Sequence, residues 1–273
     1  MEAIKNVNGE LVTILDPNDS VGIIDRFHPK ASYFSEYERF DREVDRLKRM
    51  GKGLDYISIA SPNYLHDAHI RFALKNGSHA ICEKPLVLNP YSITSLEELE
   101  KETGKKIYPI LQLRLHPTII SLKESVGKKN KVQLKYVTPR GKWFHYSWKG
   151  DLVKSGGIAT NIGIHFFDML LWIFGSVKNN FVEYHTNYKA GGYLELERAN
   201  VNWELSVDER DLPHDDWKAF RSIKVNGEEI DFSDGFTDLH TKSYEEILNG
   251  NGFTLEDSKP ALDLVHKIRN YKT

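Results

Sequence analysis

Cysteine is nearly absent: Cys82 is the single one in 273 residues, which excludes an intramolecular disulfide and points to a reducing compartment. With no second cysteine and no histidine cluster around it there is no zinc signature, and no metal is expected. Its setting, the apolar run Ala80-Ile81-Cys82, marks it as a small core residue. Neither sign of charge is in excess: 37 Lys plus Arg stand against 39 Asp plus Glu, a net charge of -2. That balance supplies no field for nucleic acid or anionic lipid, so any bound anion must be held by local groups. No uninterrupted apolar run reaches the roughly 18 residues of a membrane span. The start, Met1-Glu2-Ala3-Ile4-Lys5-Asn6, has no charged-then-apolar secretion signal. The expectation is a cytoplasmic protein with neither nucleic-acid nor membrane partner. Repeats, low-complexity tracts and long linkers are also missing. What remains is 40% hydrophobic and 28% charged, a globular composition on a chain long enough to bury a core without staples.

The first half alternates short β-rich runs with amphipathic stretches, the pattern of a parallel α/β sheet. Leu11 to Leu15, Leu54 to Ala60, Ser78 to Cys82 and Ile107 to Leu111 read as strands. Glu36 to Met50, Tyr64 to Lys75 and Tyr91 to Thr103 read as helices, the last two closed by Asn76-Gly77 and Gly104. The second half alternates with period two over Lys131 to Thr138, Gly192 to Glu197, Asn200 to Val207 and Ser222 to Val225. This argues for an antiparallel sheet with one covered face, and Asn226-Gly227 is a hairpin signal. A helix over Ala159 to Phe174 interrupts the strands, and helices near Asp238 to Leu248 and Glu256 to Asn270 end the chain. The fold class is therefore α/β plus α+β. Residues 1-118 are expected to form a partial dinucleotide-binding domain, and 119-273 a substrate-binding and oligomerisation domain.

Ligands of open α/β sheets lie beyond the carboxyl ends of the parallel strands. Asp16 ends the first strand, where a carboxylate can accept both hydroxyls of an adenosine ribose and disfavour a 2'-phosphate, hence NAD over NADP. The alternative for Asp16 is an Asp-Pro turn. Ser61-Pro62-Asn63 is turn chemistry as well, with Asn63 able to cap the helix that follows. His66 would sit in the first turn of that helix, whose positive end favours a neutral imidazole. Lys84, after a buried strand and before a proline, has the restricted backbone and partial desolvation that lower a lysine pKa; the alternative is a solvated lysine paired with Glu83. Asn161 and His165 stand four apart on one helix face, with Gly163 between them leaving room for a flat ring or sugar. His165 suits a general base for an alcohol, or else is a core histidine bonded to Asp168.

Together Glu83-Lys84-Pro85, Ser61-Pro62-Asn63 with His66, and Gly157 to His165 resemble the glucose-fructose oxidoreductase, inositol dehydrogenase and rhizopine-catabolism (Gfo/Idh/MocA) family, and the resemblance runs nearly to the C-terminus. It is narrower for members that oxidise the 3-hydroxyl of UDP-N-acetyl-2-amino-2-deoxy-glucuronate. Asp16 to Asp25, Ile110-Leu111-Gln112-Leu113-Arg114, Arg140-Gly141-Lys142-Trp143, Ser147 to Asp151 and Gly235 to His240 carry that closer likeness. The resemblance implies hydride transfer from C3 of a UDP-linked uronic acid to NAD, in surface-polysaccharide sugar-nucleotide biosynthesis, with 2-oxoglutarate as a possible co-substrate. By it, Lys84 and His165 are catalytic, and either relays the proton. Asp16, Ser61, Asn63, His66, Glu83, Lys84 and Gln112 meet the cofactor. Lys84, Arg140, Trp148, Lys149, Asn161 and His165 meet the substrate, with surface roles the alternative for Arg140, Trp148 and Lys149. Asn161 departs from the aspartate many members carry there. A homo-dimer or homo-tetramer through the open sheet face is also implied.

One signature is not in the chain. Gly-x-Gly-x-x-Gly after a strand holds the pyrophosphate in such domains, and Gly51-Lys52-Gly53, the nearest approach, precedes a strand. The resemblance places Met1 to Asn6 at the end of the first helix, so the first strand and the phosphate loop are expected upstream of this chain, in a longer product. That strand is central in the usual order, and without it two strand edges would face a gap. The alternative function is a non-catalytic sugar-nucleotide-binding or assembly protein; a relative acting on a free sugar or cyclitol is a third reading.

Overall fold

The structure is a computed structural model that describes residues 1–18, 22–214, 216–231 and 238–271. Residues 19–21 and 235–237, which carry part of the resemblance, lie outside the described residues. The first half runs α1 (Glu2–Asn6), β1 (Thr13–Leu15), α2 (Ile23–Phe27), β2 (Ser32–Phe34), α3 (Tyr37–Arg49), β3 (Tyr56–Ile59), α4 (His66–Lys75), β4 (His79–Cys82), α5 (Ser92–Thr103), β5 (Ile107–Pro109) and α6 (Pro117–Ser125). The second half runs β6 (Asn130–Val137), α7 (Lys142–Tyr146), α8 (Leu152–Ser155), α9 (Ile164–Phe174), β7 (Val177–His185), β8 (Lys189–Leu196), β9 (Ala199–Ser206), β10 (Phe220–Val225), β11 (Glu228–Glu229), α10 (Leu239–Leu248) and α11 (Leu255–Arg269).

Local chemistry accounts for the long elements. In α3, Phe40, Val44 and Leu47 repeat at helical spacing and are buried, while Glu38–Arg42 and Asp45–Arg49 pair one turn apart on the wet side. Gly51, with φ +70, follows the end of this helix, so the Gly51-Lys52-Gly53 stretch is a helix terminus and not a phosphate loop. Gly104 closes α5 at φ 66, its N–H donating to the Glu100 carbonyl. Thr254 and Asp257 form a reciprocal capping box at the start of α11.

The parallel strands fall into two sheets. β1 pairs only with β2, and β3, β4 and β5 form a separate three-stranded sheet. These pairings are those of strands 3-2 and 4-5-6 of a doubly wound order whose strand 1 lies between them. The edges of β1 and β3 are thus unpaired among the described residues, as expected. The larger sheet has the order β11-β10-β6-β9-β8-β7. It is mixed and not purely antiparallel: β6 and β9 run parallel, Leu134 opposite Trp203. Asn226 and Gly227, both at positive φ, make the expected two-residue turn between β10 and β11.

The helix expected over Ala159 to Phe174 is not uniform. Ala159–Gly163 is a π turn, and regular α geometry begins at Ile164. Phe166, Phe167, Met169, Leu170, Ile173 and Phe174 are buried all around α9, which makes it the central core helix. The helical run Leu152–Phe174 has the length and apolarity to cross a membrane, but 83% of its apolar window is buried inside the fold. One hydrophobic core spans both halves, from Ile59 to Ile268, and takes in Cys82. The room expected beside Gly163 is filled: a Cβ there would lie 2.6 Å from Leu205 Cδ1 and 2.7 Å from Phe167 Cε2. Gly163 serves core packing and not the approach of a ligand.

Candidate active site at the carboxyl ends of the parallel strands

β3, β4 and β5 are parallel, so their carboxyl ends share one edge, and the expected polar groups collect there. Beyond β4, the Glu83 N–H extends the ladder to Ile59 O at 2.9 Å. Lys84 Nζ then crosses to the second half and donates to the backbone oxygen of Asn161 at 3.0 Å. Burial drives the Lys84 pKa down to about 8; the Glu83 charge opposes this, while Lys149 and Arg140 assist. Glu83, Lys149 and Arg140 therefore each lie within electrostatic reach of Lys84. Glu83 is not the partner of Lys84 but of His240, whose Nε2 lies 2.9 Å from its carboxylate. Burial is the largest influence and would raise the Glu83 pKa, but the hydrogen bond and charge of His240 together with the charge and backbone N–H of Lys84 outweigh it and hold the pKa below the usual value.

His165 lines a cavity with Lys84, Leu86, Leu111 and Asp168. Its pKa lies well below the usual value because of burial, reinforced by Lys84 and Arg221. No hydrogen bond reaches its ring among the described residues, so the alternative of a core histidine bonded to Asp168 is not borne out. Asp168 instead binds Arg114 with both oxygens, at 2.7 and 3.0 Å. Arg114 also meets Asp257 at 3.0 Å and stacks over Phe253. This buried ion-pair network was missed in the sequence, although an arginine in the apolar run Leu111 to Leu115 is the kind of signal that marks one.

The turn after β3 is used internally. Asn63 does not cap a helix: its Nδ2 donates to Ser155 O at 2.9 Å and to Asn161 Oδ1 at 3.2 Å. Ser61 Oγ meets His69 Nδ1 at 2.9 Å. His66 is buried with its ring nitrogens 2.7 Å from Pro85 O and 2.8 Å from Ser61 O, and a neutral ring donates to one of these two carbonyls. Its pKa is lowered as expected, but through burial, which outweighs the two carbonyls, and not through the helix end. Asp16 closes its own turn, accepting from Asn18 N at 2.9 Å. Gln112, just beyond β5, has a buried Oε1 with no protein donor among the described residues. Lys149 lines a second cavity with Asn161, Ser155 and Gly157, and its ammonium lies 5.9 Å from the Trp143 ring and 5.8 Å from the Trp148 ring. Arg140 is exposed, its guanidinium 5.9 Å from the Phe144 ring.

Two histidines whose surroundings disfavour protonation have a consequence for stability. The unfolded chain protonates His66 and His165 below about pH 6.5, whereas their lowered folded pKa values delay protonation in the native state. Their contribution is present above that pH and is lost as pH falls below it. His240, raised by Glu83, acts in the opposite sense but is half exposed. The melting temperature is expected to fall between pH 7 and pH 5; a flat profile over that interval would contradict the assignment.

Comparison with known proteins fits this architecture. Residues 3–110 match the profile of an oxidoreductase family described by its NAD-binding Rossmann fold (GFO_IDH_MocA), and residues 123–207 match its C-terminal alpha/beta domain. The WlbA (WbpB) dehydrogenase from Thermus thermophilus, solved in complex with NAD and UDP-GlcNAcA and also with NAD and alpha-ketoglutarate, superposes with a TM-score of 0.94. It is 47% identical, over 99% of this chain and 90% of that one. Among curated proteins, an uncharacterized oxidoreductase of Synechocystis is 27% identical over 45% of this chain and 35% of its own length. D-glucoside 3-dehydrogenase of Escherichia coli is 26% identical over 50% and 40%. The chain thus spans well under half the length of these curated relatives. By both domain profiles and by a relative matched along almost its whole length, the chain belongs to the Gfo/Idh/MocA oxidoreductase family.

Proposed function

We propose that this protein is an NAD-dependent dehydrogenase that oxidises the 3-hydroxyl of a UDP-linked N-acetylated amino-sugar uronic acid. The observation that carries the reading is the meeting of Lys84 with Asn161 beside His165, at the carboxyl ends of parallel strands. The Thermus relative bound to UDP-GlcNAcA supports the substrate class. NAD, when bound, accepts the hydride from C3. The residues present suit its two ends. Asp16, just beyond β1, would accept ribose hydroxyls through the carboxylate oxygen not engaged by Asn18, and the orphaned Gln112 Oε1 would offer an acceptor to the nicotinamide. Ser61, Asn63 and His66, with side chains engaged inside the protein, shape the β3 turn behind it. No glycine-rich turn among the described residues serves the pyrophosphate.

Proton transfer is assigned by basicity. A general base works best with a pKa near the operating pH. Lys84 at about 8 meets this condition, and His165, held well below its usual value, does not. Lys84 in its amine form therefore takes the hydroxyl proton, and neutral His165 orients the carbinol. Lys149 and Arg140 hold the substrate's anionic groups, with Trp148 packing beside Lys149. A homo-oligomer built on the uncovered face of the six-stranded sheet, a cytoplasmic location, 2-oxoglutarate as reoxidant and a role in surface-polysaccharide synthesis complete the proposal.

A second reading, sugar-nucleotide binding without redox chemistry, is favoured by the split parallel sheet. The two separate in one assay on the full chain: UDP-GlcNAcA and NAD binding by calorimetry, with reduction followed at 340 nm. Reduction of NAD dependent on the sugar nucleotide is expected. Binding of the sugar nucleotide with no reduction at any NAD concentration selects the second reading, and binding of neither ligand overturns both.

A further inference from the structure

Asn63 is 5% exposed, and both hydrogens of its amide nitrogen are committed across the junction of the two halves, to Ser155 O and Asn161 Oδ1. The orientation is forced. Turned round, the Asn63 oxygen would face the Ser155 carbonyl, two acceptors with no proton between them. Ser155 thereby fixes Asn63, and Asn63 fixes Asn161, whose oxygen must meet the donated hydrogen. Lys84 holds the main-chain oxygen of Asn161 from another direction. The Asn161 Nδ2 group finds no protein acceptor among the described residues, and Asn161 lines a cavity with Lys149 and Gly157. The carboxylates nearby are occupied: Asp151 accepts from Val153 N and Lys154 N, and Glu83 from His240.

We infer that Asn63 is a positioning residue that holds Asn161 as a hydrogen-bond donor, so that Lys149 and Asn161 present a donor-only wall selecting a carboxylate-bearing sugar nucleotide over its neutral counterpart. This rests on the sugar-nucleotide reading above. Aspartate at 161 would keep one oxygen on Asn63 and turn the other, negatively charged, toward the ligand carboxylate. Without the Asn63 amide, Asn161 is free to turn its oxygen into the cavity.

The test is calorimetric binding of UDP-GlcNAcA and of UDP-GlcNAc, its neutral counterpart, to the full chain and to Asn161→Asp and Asn63→Ala. The unaltered protein is expected to prefer the acid by roughly tenfold or more, the worth of one hydrogen bond to a charged group. In Asn161→Asp, which is isosteric and folds without a cavity, the ratio of the two affinities is expected to collapse toward one. In Asn63→Ala the ratio falls while affinity for the neutral ligand is kept. A purely structural role would weaken both ligands by the same factor and leave the ratio unchanged, which overturns the inference. So does an unaltered protein that binds both ligands without preference. If it binds neither, the sugar-nucleotide reading itself fails and the inference falls with it.

Discussion

Replacing Lys84 by methionine is expected to lower turnover of a UDP-linked uronate by roughly 10²–10⁴-fold, the usual contribution of a general base, with a smaller change in sugar-nucleotide affinity. Methionine keeps much of the volume beneath the site, so the loss reports chemistry and not collapse. Lys84→Arg separates two roles that methionine leaves merged. Arginine retains the positive charge but does not deprotonate in a protein; if Lys84 acts as a base, both variants are equally impaired, and if it acts only as a charge, arginine retains activity. The pH dependence has a definite sign. A base must be neutral in the free enzyme, so kcat/KM for oxidation is expected to rise through about 8, the value to which burial brings Lys84. Steady-state kinetics from pH 6 to 10 would show it, and a rate that declined through that region would remove Lys84 from the role.

Removing Arg114 should cost the most stability of any polar substitution. Its guanidinium and Asp168 are almost fully buried, 7% and 4% exposed at the side chain. A buried ion pair adds little net stability over an apolar pair of the same shape, but breaking one strands a charge, at about 3–5 kcal/mol. Arg114→Met is therefore expected to lower the unfolding free energy by about that amount, measured by urea titration. Burial already pushes the Asp168 pKa up despite Arg114. Without the arginine it rises further, and the folded protein escapes the unpaired charge by taking up a proton. The deficit should therefore shrink as pH is lowered from 8 to 6. The double variant Arg114→Met with Asp168→Leu should recover most of the loss. A single variant within 1 kcal/mol of the unaltered protein (about a third of the expected loss) would show that the network is solvated.

Strands β1, β3, β4 and β5 and helices α3, α4 and α5 were legible because each announces itself locally: Val44 and Leu47 on one helical face, Asn76-Gly77 and Gly104 at helix ends; the short α2 and β2, and α6, were not read. The convergence of Lys84, Asn161 and His165 was legible through a resemblance, since the first two stand 77 residues apart. Strand β7 escaped notice because only Val182 in it is buried and its register is interrupted twice, so it lacks the period-two signature. The parallel pairing of β6 with β9 follows from topology, which alternation does not encode. Asn63 looked like a helix cap because its neighbours are turn residues, and its true partners lie 92 and 98 residues away. Gly163 suggested open space on the same local logic, and the packed core supplied Leu205 and Phe167 instead.

The wide turn at Ala159–Gly163 gives this site an unusual sensitivity to residue count. A helix with one extra residue in a turn sets everything before it out of phase with everything after. Losing a single residue there would restore regular winding and swing the Ser155 to Asn161 segment by about 100° relative to His165. The Lys84 and Asn63 grips on Asn161 would be lost together, although every side chain involved would still be present. For this helix, then, a one-residue deletion is a graver change than most substitutions, and the length of the segment from Ser155 to His165 is itself part of the chemistry.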